Sequence, residues 1–380
     1  MTGNNQRSGG RMRRRFVTIA AALAVCLSFL AAPIAYAAEE PSTTQLTLVN
    51  GWSDAPYGTE HAGVRQLSDG VVVFTGAIRG GTTGVAFTLP ANDRPTMNEY
   101  VPVDMCNATK GRLVIQTSGV VTVQAEGAFS NASCFTSLDG ASFLISAASG
   151  LPVTLQNGWS GGPYGTAQPA VQIKSSYYTG GSNQGTVHFV GAISGGANGS
   201  VAFTLPVGYR PSTTKYVPVD MCGATNGRLI IHTDGTVVVQ QESSTSTNAN
   251  CFTSLDGAWF VLNTTPNYLS LTLQNGWYGA GYGTAAPGID EDYDGLTYQF
   301  SGAIATSSAN TNSVVFTLPY PFSPGYDVYI PVDLCNATNG RLHIQANGVT
   351  TVEAETVFSN ATCFTSLDGV SYSRWQHLIG

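Results

Sequence analysis

Charge is what this chain has least of. Asp, Glu, Lys and Arg together make up only 10% of its 380 residues. Five of the 16 Lys and Arg fall within residues 1–37, which leaves 11 against 23 carboxylates and a formal charge of −12 on residues 38–380. A chain of that sign repels polyphosphate, so nucleic acid is excluded as a partner. Histidine is scarce too: His61, His188, His232, His343 and His377 are all there are. Sustained helical periodicity is missing throughout, which leaves β-structure. Past residue 37 no apolar run is long enough to span a bilayer. No nucleophile elbow surrounds any serine, and no pair of carboxylates outside turn or ion-pair patterns suggests acid–base hydrolysis. These absences point away from an enzyme.

The one long apolar stretch lies at the start. Arg11, Arg13, Arg14 and Arg15 precede the apolar run Phe16–Leu30 and the small-x-small site Ala35-Tyr36-Ala37. This pattern predicts a secretory signal peptide over 1–37. Cys26 belongs to it, so six cysteines remain for the exported chain.

What is abundant is repetition. Cys106-Asn107-Ala108-Thr109 recurs as Cys222-Gly223-Ala224-Thr225 and Cys335-Asn336-Ala337-Thr338. Cys-Phe-Thr-Ser-Leu-Asp-Gly ends at Gly140, Gly257 and Gly369, and Asn-Gly-Trp ends at Trp52, Trp159 and Trp277. A unit copied three times is a unit that folds. The boundaries read as repeat 1 at 42–148, repeat 2 at 149–265 and repeat 3 at 266–380. Each holds two cysteines, 28 or 29 residues apart, so the economical pairing is Cys106–Cys134, Cys222–Cys251 and Cys335–Cys363. Two cysteines with no histidine at a fixed offset cannot close a zinc shell.

Within a repeat, Arg112–Gln116 and Val120–Gln124 flank a turn. Their counterparts in the later copies flank Asp234-Gly235 and Asn347-Gly348, which are strong hairpin signals. Alternation in Tyr100–Cys106 turns Val101, Val103 and Met105 inward, and Pro102 marks an edge strand. Further strands are predicted at Leu46–Val49, Val71–Ile78, Val85–Leu89 and Ala141–Ile145. Some seven short strands per copy predict an all-β chain of three tandem antiparallel β-sandwich, jelly-roll-like domains with one disulfide each.

The second copy carries Asn157-Gly158-Trp159, Phe203-Thr204-Leu205-Pro206, Gly208-Tyr209-Arg210-Pro211, Gly227-Arg228-Leu229 and Ser254-Leu255-Asp256-Gly257. This string resembles the C-terminal tip or head domains of bacteriophage tail fibres and of related secreted bacterial proteins. Copy 1 keeps Arg94-Pro95, whereas copy 3 lacks Arg-Pro. The resemblance implies a β-sandwich that binds cell-surface glycans or other surface ligands, and it brings no catalytic residues. The cysteine pair departs from that pattern and suits a free extracellular protein.

Three candidate sites follow. Trp52, Trp159 and Trp277, with Tyr57, Tyr164 and Tyr282 five residues on, form either a loop-borne sugar platform or, for the tryptophans, the end of the sandwich core. Asp104, Asp220 and Asp333 each lie eight residues before Arg112, Arg228 and Arg341. Exposed ion pairs on one outer face are expected there. Asp290-Glu291-Asp292-Tyr293-Asp294-Gly295 matches the opening of a calcium loop through Asp290, Asp292 and Asp294. Its twelfth position is Ser301 and a strand follows, so it is no EF-hand; calcium in repeat 3 and an acid-rich hairpin turn both fit. The expected protein is a secreted, non-catalytic repeat protein with multivalent recognition of surfaces or carbohydrates, folded back as a pseudo-trimer. A structural part of an extracellular layer is the alternative, and a secreted glycan-active enzyme the third.

Overall fold

The computed structural model describes residues 42–175, 185–242, 247–262, 268–279, 281–292 and 294–374. The expected signal peptide, 1–37, lies outside the described residues. All named strand pairs are antiparallel, and each repeat is a sandwich. In repeat 1, one four-stranded sheet runs in the order Thr44–Gln45, Gly63–Gln66, Val71–Thr75, Ser142–Leu144. The other runs Val85–Thr88, Val120–Ala125, Lys110–Ile115, Glu99–Asp104, and a ribbon of Thr136–Ser137, Ala77–Arg79 and Ser53–Asp54 completes the unit. Val64, Val72 and Phe74 from the first sheet meet Phe87, Val101, Leu113 and Val121 from the second in a closed apolar core. Repeats 2 and 3 have equivalent cores of their own. The described residues form one compact unit.

The expected strand Val71–Ile78 is broken. It ends at Thr75 and resumes at Ala77 in a different sheet. Gly76 makes the switch at φ 80°, where a side chain would lie 2.3 Å from the Glu60 carbonyl oxygen, so only glycine fits. Its amide donates to the buried Asp139 carboxylate at 2.9 Å, and Gly191 and Gly302 bond Asp256 and Asp368 in the same way. The Asp of Ser-Leu-Asp-Gly is therefore a buried acceptor that fixes the strand switch, as well as a turn former. The expected strand Leu46–Val49 shrinks to an isolated bridge between Leu48 and Phe87. Sequence periodicity also misses the short helices Phe129–Cys134, Asn248–Cys251 and Phe358–Cys363, which are too brief to show a 3.6-residue period. Each delivers a cysteine to the predicted partner: the disulfides are Cys106–Cys134, Cys222–Cys251 and Cys335–Cys363. Among the described residues, no helix is long and apolar enough to cross a membrane.

Glu99–Asp104 is an edge strand, as Pro102 predicts, and so are Lys215–Asp220 and Val328–Asp333. These three edges lie against one another, each touching the other two. An open edge is a template for aggregation; here each is covered by the neighbouring repeats.

Candidate functional site: the seams between repeats

The outer face of the edge strands is an interface, which corrects the expected exposed ion pairs. Arg112 bonds Asp220 of repeat 2 at 2.9 Å, Arg228 bonds Asp333 of repeat 3 at 2.8 Å, and Arg341 bonds Asp104 of repeat 1 at 3.1 Å. The pairs run from each repeat to the next and close a ring. All three carboxylates are fully buried. Burial outweighs the arginine attraction and raises Asp104 to about 7 and Asp333 to about 6; it also raises Asp220. The Asn339 amide donates to the Ala108 carbonyl and the Asn226 amide to that of Ala337, across two of the seams. At the third, Lys110 bonds the carbonyls of Val219 and Thr225.

Each seam also carries a stack of aromatic rings. Between repeats 1 and 2, Tyr100 meets Phe252 edge-on at 4.9 Å, and Phe252 meets Tyr164 at 5.6 Å. Tyr216, Phe364 and Tyr282 repeat this between repeats 2 and 3, and Tyr329, Phe135 and Tyr57 between repeats 3 and 1. Arg112, Arg228 and Arg341 lie 5.0–5.1 Å over Tyr100, Tyr216 and Tyr329. At two of the seams the result is a cleft. One of about 280 Å³ is lined by Tyr57, Cys106, Asn107, Phe135, Tyr329 and Arg341. Another of about 160 Å³ has the equivalent Tyr282, Cys335, Asn336, Phe364, Tyr216 and Arg228. The seam between repeats 1 and 2 has Gly223 where the others have an asparagine.

The predicted Trp–Tyr platform separates into two parts. Trp52, Trp159 and Trp277 are only 5–6% exposed. Their indole N–H groups are spent on Thr83, Ser200 and Asn312 at 2.9 Å. Gly81 and Gly196 lie so close that a Cβ would fall 2.0 Å from the rings of Trp52 and Trp159. A stacked sugar needs an open ring face, and these residues have none; they are core. Tyr57, Tyr164 and Tyr282 are 56–63% exposed and stand at the seams. All three have φ of 55–60°, a left-handed conformation that a bulky aromatic residue rarely adopts. The turn is held by the next residue but one: Thr59, Thr166 and Thr284 donate their hydroxyls to the carbonyls of Pro56, Pro163 and Gly281. That explains the repeated Tyr-Gly-Thr.

Asp290, Asp292 and Asp294 diverge. Asp294 accepts from Arg65 of repeat 1 at 2.8 Å and from the amides of Leu296 and Thr297. Asp292 accepts from Gln299, and Asp290 from the amide of Glu291. Asp290 and Asp292 border a narrow polar cavity of about 30 Å³ where the three repeats meet, beside Lys174 and His188. Burial and the nearby Lys174 push His188 down to about 3. Among the described residues, no three His, Cys, Asp or Glu side chains are grouped to hold a metal ion.

The chain matches no family model, no curated protein and no solved structure.

The seam-forming Phe135, Phe252 and Phe364, and Tyr100, Tyr216 and Tyr329, escaped the reading of the sequence as site residues. Their signal was present in the repeated Cys-Phe-Thr-Ser string and in Tyr-Val-Pro-Val-Asp, which reads Tyr-Ile-Pro-Val-Asp in the third copy. Alternation showed that Tyr100 faces away from its own core, but not that the next repeat's phenylalanine meets it.

Proposed function

We propose that this is a secreted, non-catalytic protein that binds carbohydrate on an extracellular surface through the three aromatic–arginine stacks at the seams between its repeats. The observation that supports this best is the threefold recurrence of an exposed, strained tyrosine beside an arginine. Sugar rings stack their C–H faces on such aromatics, while the Arg N–H groups and the Asn107 and Asn336 amides supply donors to hydroxyls. Left-handed tyrosine costs folding free energy, and a function for the ring accounts for its presence in all three copies. Three weak, similar sites on one chain gain avidity on a surface with matching spacing. The disulfides suit an oxidising compartment, and the resemblance to tail-fibre tips agrees with surface recognition.

A glycan array probed with residues 38–380 tests the reading. Binding to a defined saccharide class is expected, and a Tyr57→Ala, Tyr164→Ala, Tyr282→Ala variant should lose it. Concentration-dependent self-association with no glycan bound would favour a structural role instead.

A further inference from the structure

The three seams differ at one pair of equivalent positions. The first residue of each edge strand, Glu99, Lys215 or Val328, faces the Ser-Leu-Asp-Gly turn of a neighbouring repeat. Lys215 meets Asp368 in a buried ion pair at 3.0 Å. Val328 is apolar. Glu99 meets Asp256, carboxyl to carboxyl, with both side chains buried and hydrogen-bonded to each other. Two carboxyl groups can share a hydrogen bond only when one of them carries a proton.

Among the described residues, the neighbouring cations are engaged elsewhere. Arg112 on the adjoining strand is engaged with Asp220, and Lys110 with the carbonyls of Val219 and Thr225. Lys215 is committed to Asp368 at the next seam. Asp256 instead receives the amides of Gly191 at 2.5 Å and Tyr100 at 3.4 Å, and the Ser254 hydroxyl donates to the Tyr100 carbonyl at 2.7 Å. The carboxyl pair therefore sits on the backbone hydrogen bonds that fasten repeat 1 to repeat 2 at Tyr100.

We propose that the seam between repeats 1 and 2 is a proton-held latch, closed while Glu99 and Asp256 share a proton and loosened when that proton is lost, whereas the seam where Lys215 meets Asp368 has no such carboxyl pair. Burial, with the Asp256 charge added, raises Glu99 well above the ordinary carboxyl range, and burial lifts Asp256 to about 7. Loss of the shared proton leaves two like charges in contact in a dry interface, which is repulsive. At the next seam the equivalent Asp368 faces the Lys215 cation instead of a second carboxyl, which is attractive. The inference does not depend on carbohydrate binding.

Amide hydrogen exchange on residues 38–380 between pH 6 and pH 8.5, corrected for the intrinsic chemical rate, tests it. Exchange at Tyr100 and Gly191 should rise more than tenfold, while Gly302, the matching amide beside the Lys215–Asp368 pair, stays within about twofold. Glu99→Gln should hold the seam closed across the range, and Glu99→Lys, which copies the pairing at Lys215, should do the same. Equal protection at Gly191 and Gly302 throughout the range would overturn the latch. So would a rise at Tyr100 and Gly191 that persists in both variants.

Discussion

Five residues separate each tryptophan from its tyrosine, and burial assigns the two opposite roles. Trp159 fills the end of a core, so Trp159→Ala removes a large buried ring and should cost about 3–5 kcal/mol in chemical denaturation. Tyr164 covers little core and holds a left-handed backbone. Glycine relieves that backbone strain, worth about 1 kcal/mol per site. Replacing Tyr57, Tyr164 and Tyr282 with glycine should therefore leave the melting temperature unchanged or raised while removing saccharide binding. A clear fall in stability would mean that the rings are there for packing. Which aromatic would be buried was not legible from type or spacing. Both follow tight turns, and the deciding contacts, such as Gly196 against Trp159, come from another strand.

The edge strand of each repeat was legible in most respects. Alternation placed Val101, Val103 and Met105 in the core, Pro102 marked the edge, and Asn347-Gly348 marked the hairpin beside its counterpart in repeat 3. The spacing of Asp104 and Arg112 suggested a pair. It could not show that each carboxylate turns to a different repeat, because a period of two tells which face a residue is on and not what covers that face. The distinction carries energy. An exposed pair contributes about 0–1 kcal/mol, whereas removing one partner of a buried pair costs about 3–5 kcal/mol. Arg228→Ala should approach the larger figure, reduced because Asp333, already raised to about 6, can take up a proton. Pairing Arg228→Met with Asp333→Leu should recover most of the loss. If Arg228→Ala costs under 1 kcal/mol in urea titration, the seam is not a buried contact in solution.

Across the whole molecule, the interfaces concentrate acids whose proton affinity is raised by burial. Asp104, Asp256 and Glu355 reach about 7 and Asp333 about 6, with Glu126 and Glu242 adding to the effect at Glu355. The sign follows from linkage. Between the ordinary carboxyl range near 4 and these raised values, the folded state holds protons that the unfolded state releases, so stability falls as pH rises through 6–7. The melting temperature should be higher at pH 5 than at pH 8, and a rise toward pH 8 would contradict this account of the seams. The ring also gives the aromatic–arginine stacks their number. Each needs a tyrosine and phenylalanine from one repeat and a tyrosine and arginine from another, so all three exist only in the closed arrangement. Calorimetric titration of residues 38–380 with a saccharide selected on the array tests that claim most directly. The account predicts about three sites per chain, falling by one with each of Tyr57→Ala, Tyr164→Ala and Tyr282→Ala, at unchanged folding. A single site, or binding that survives all three substitutions, would contradict it.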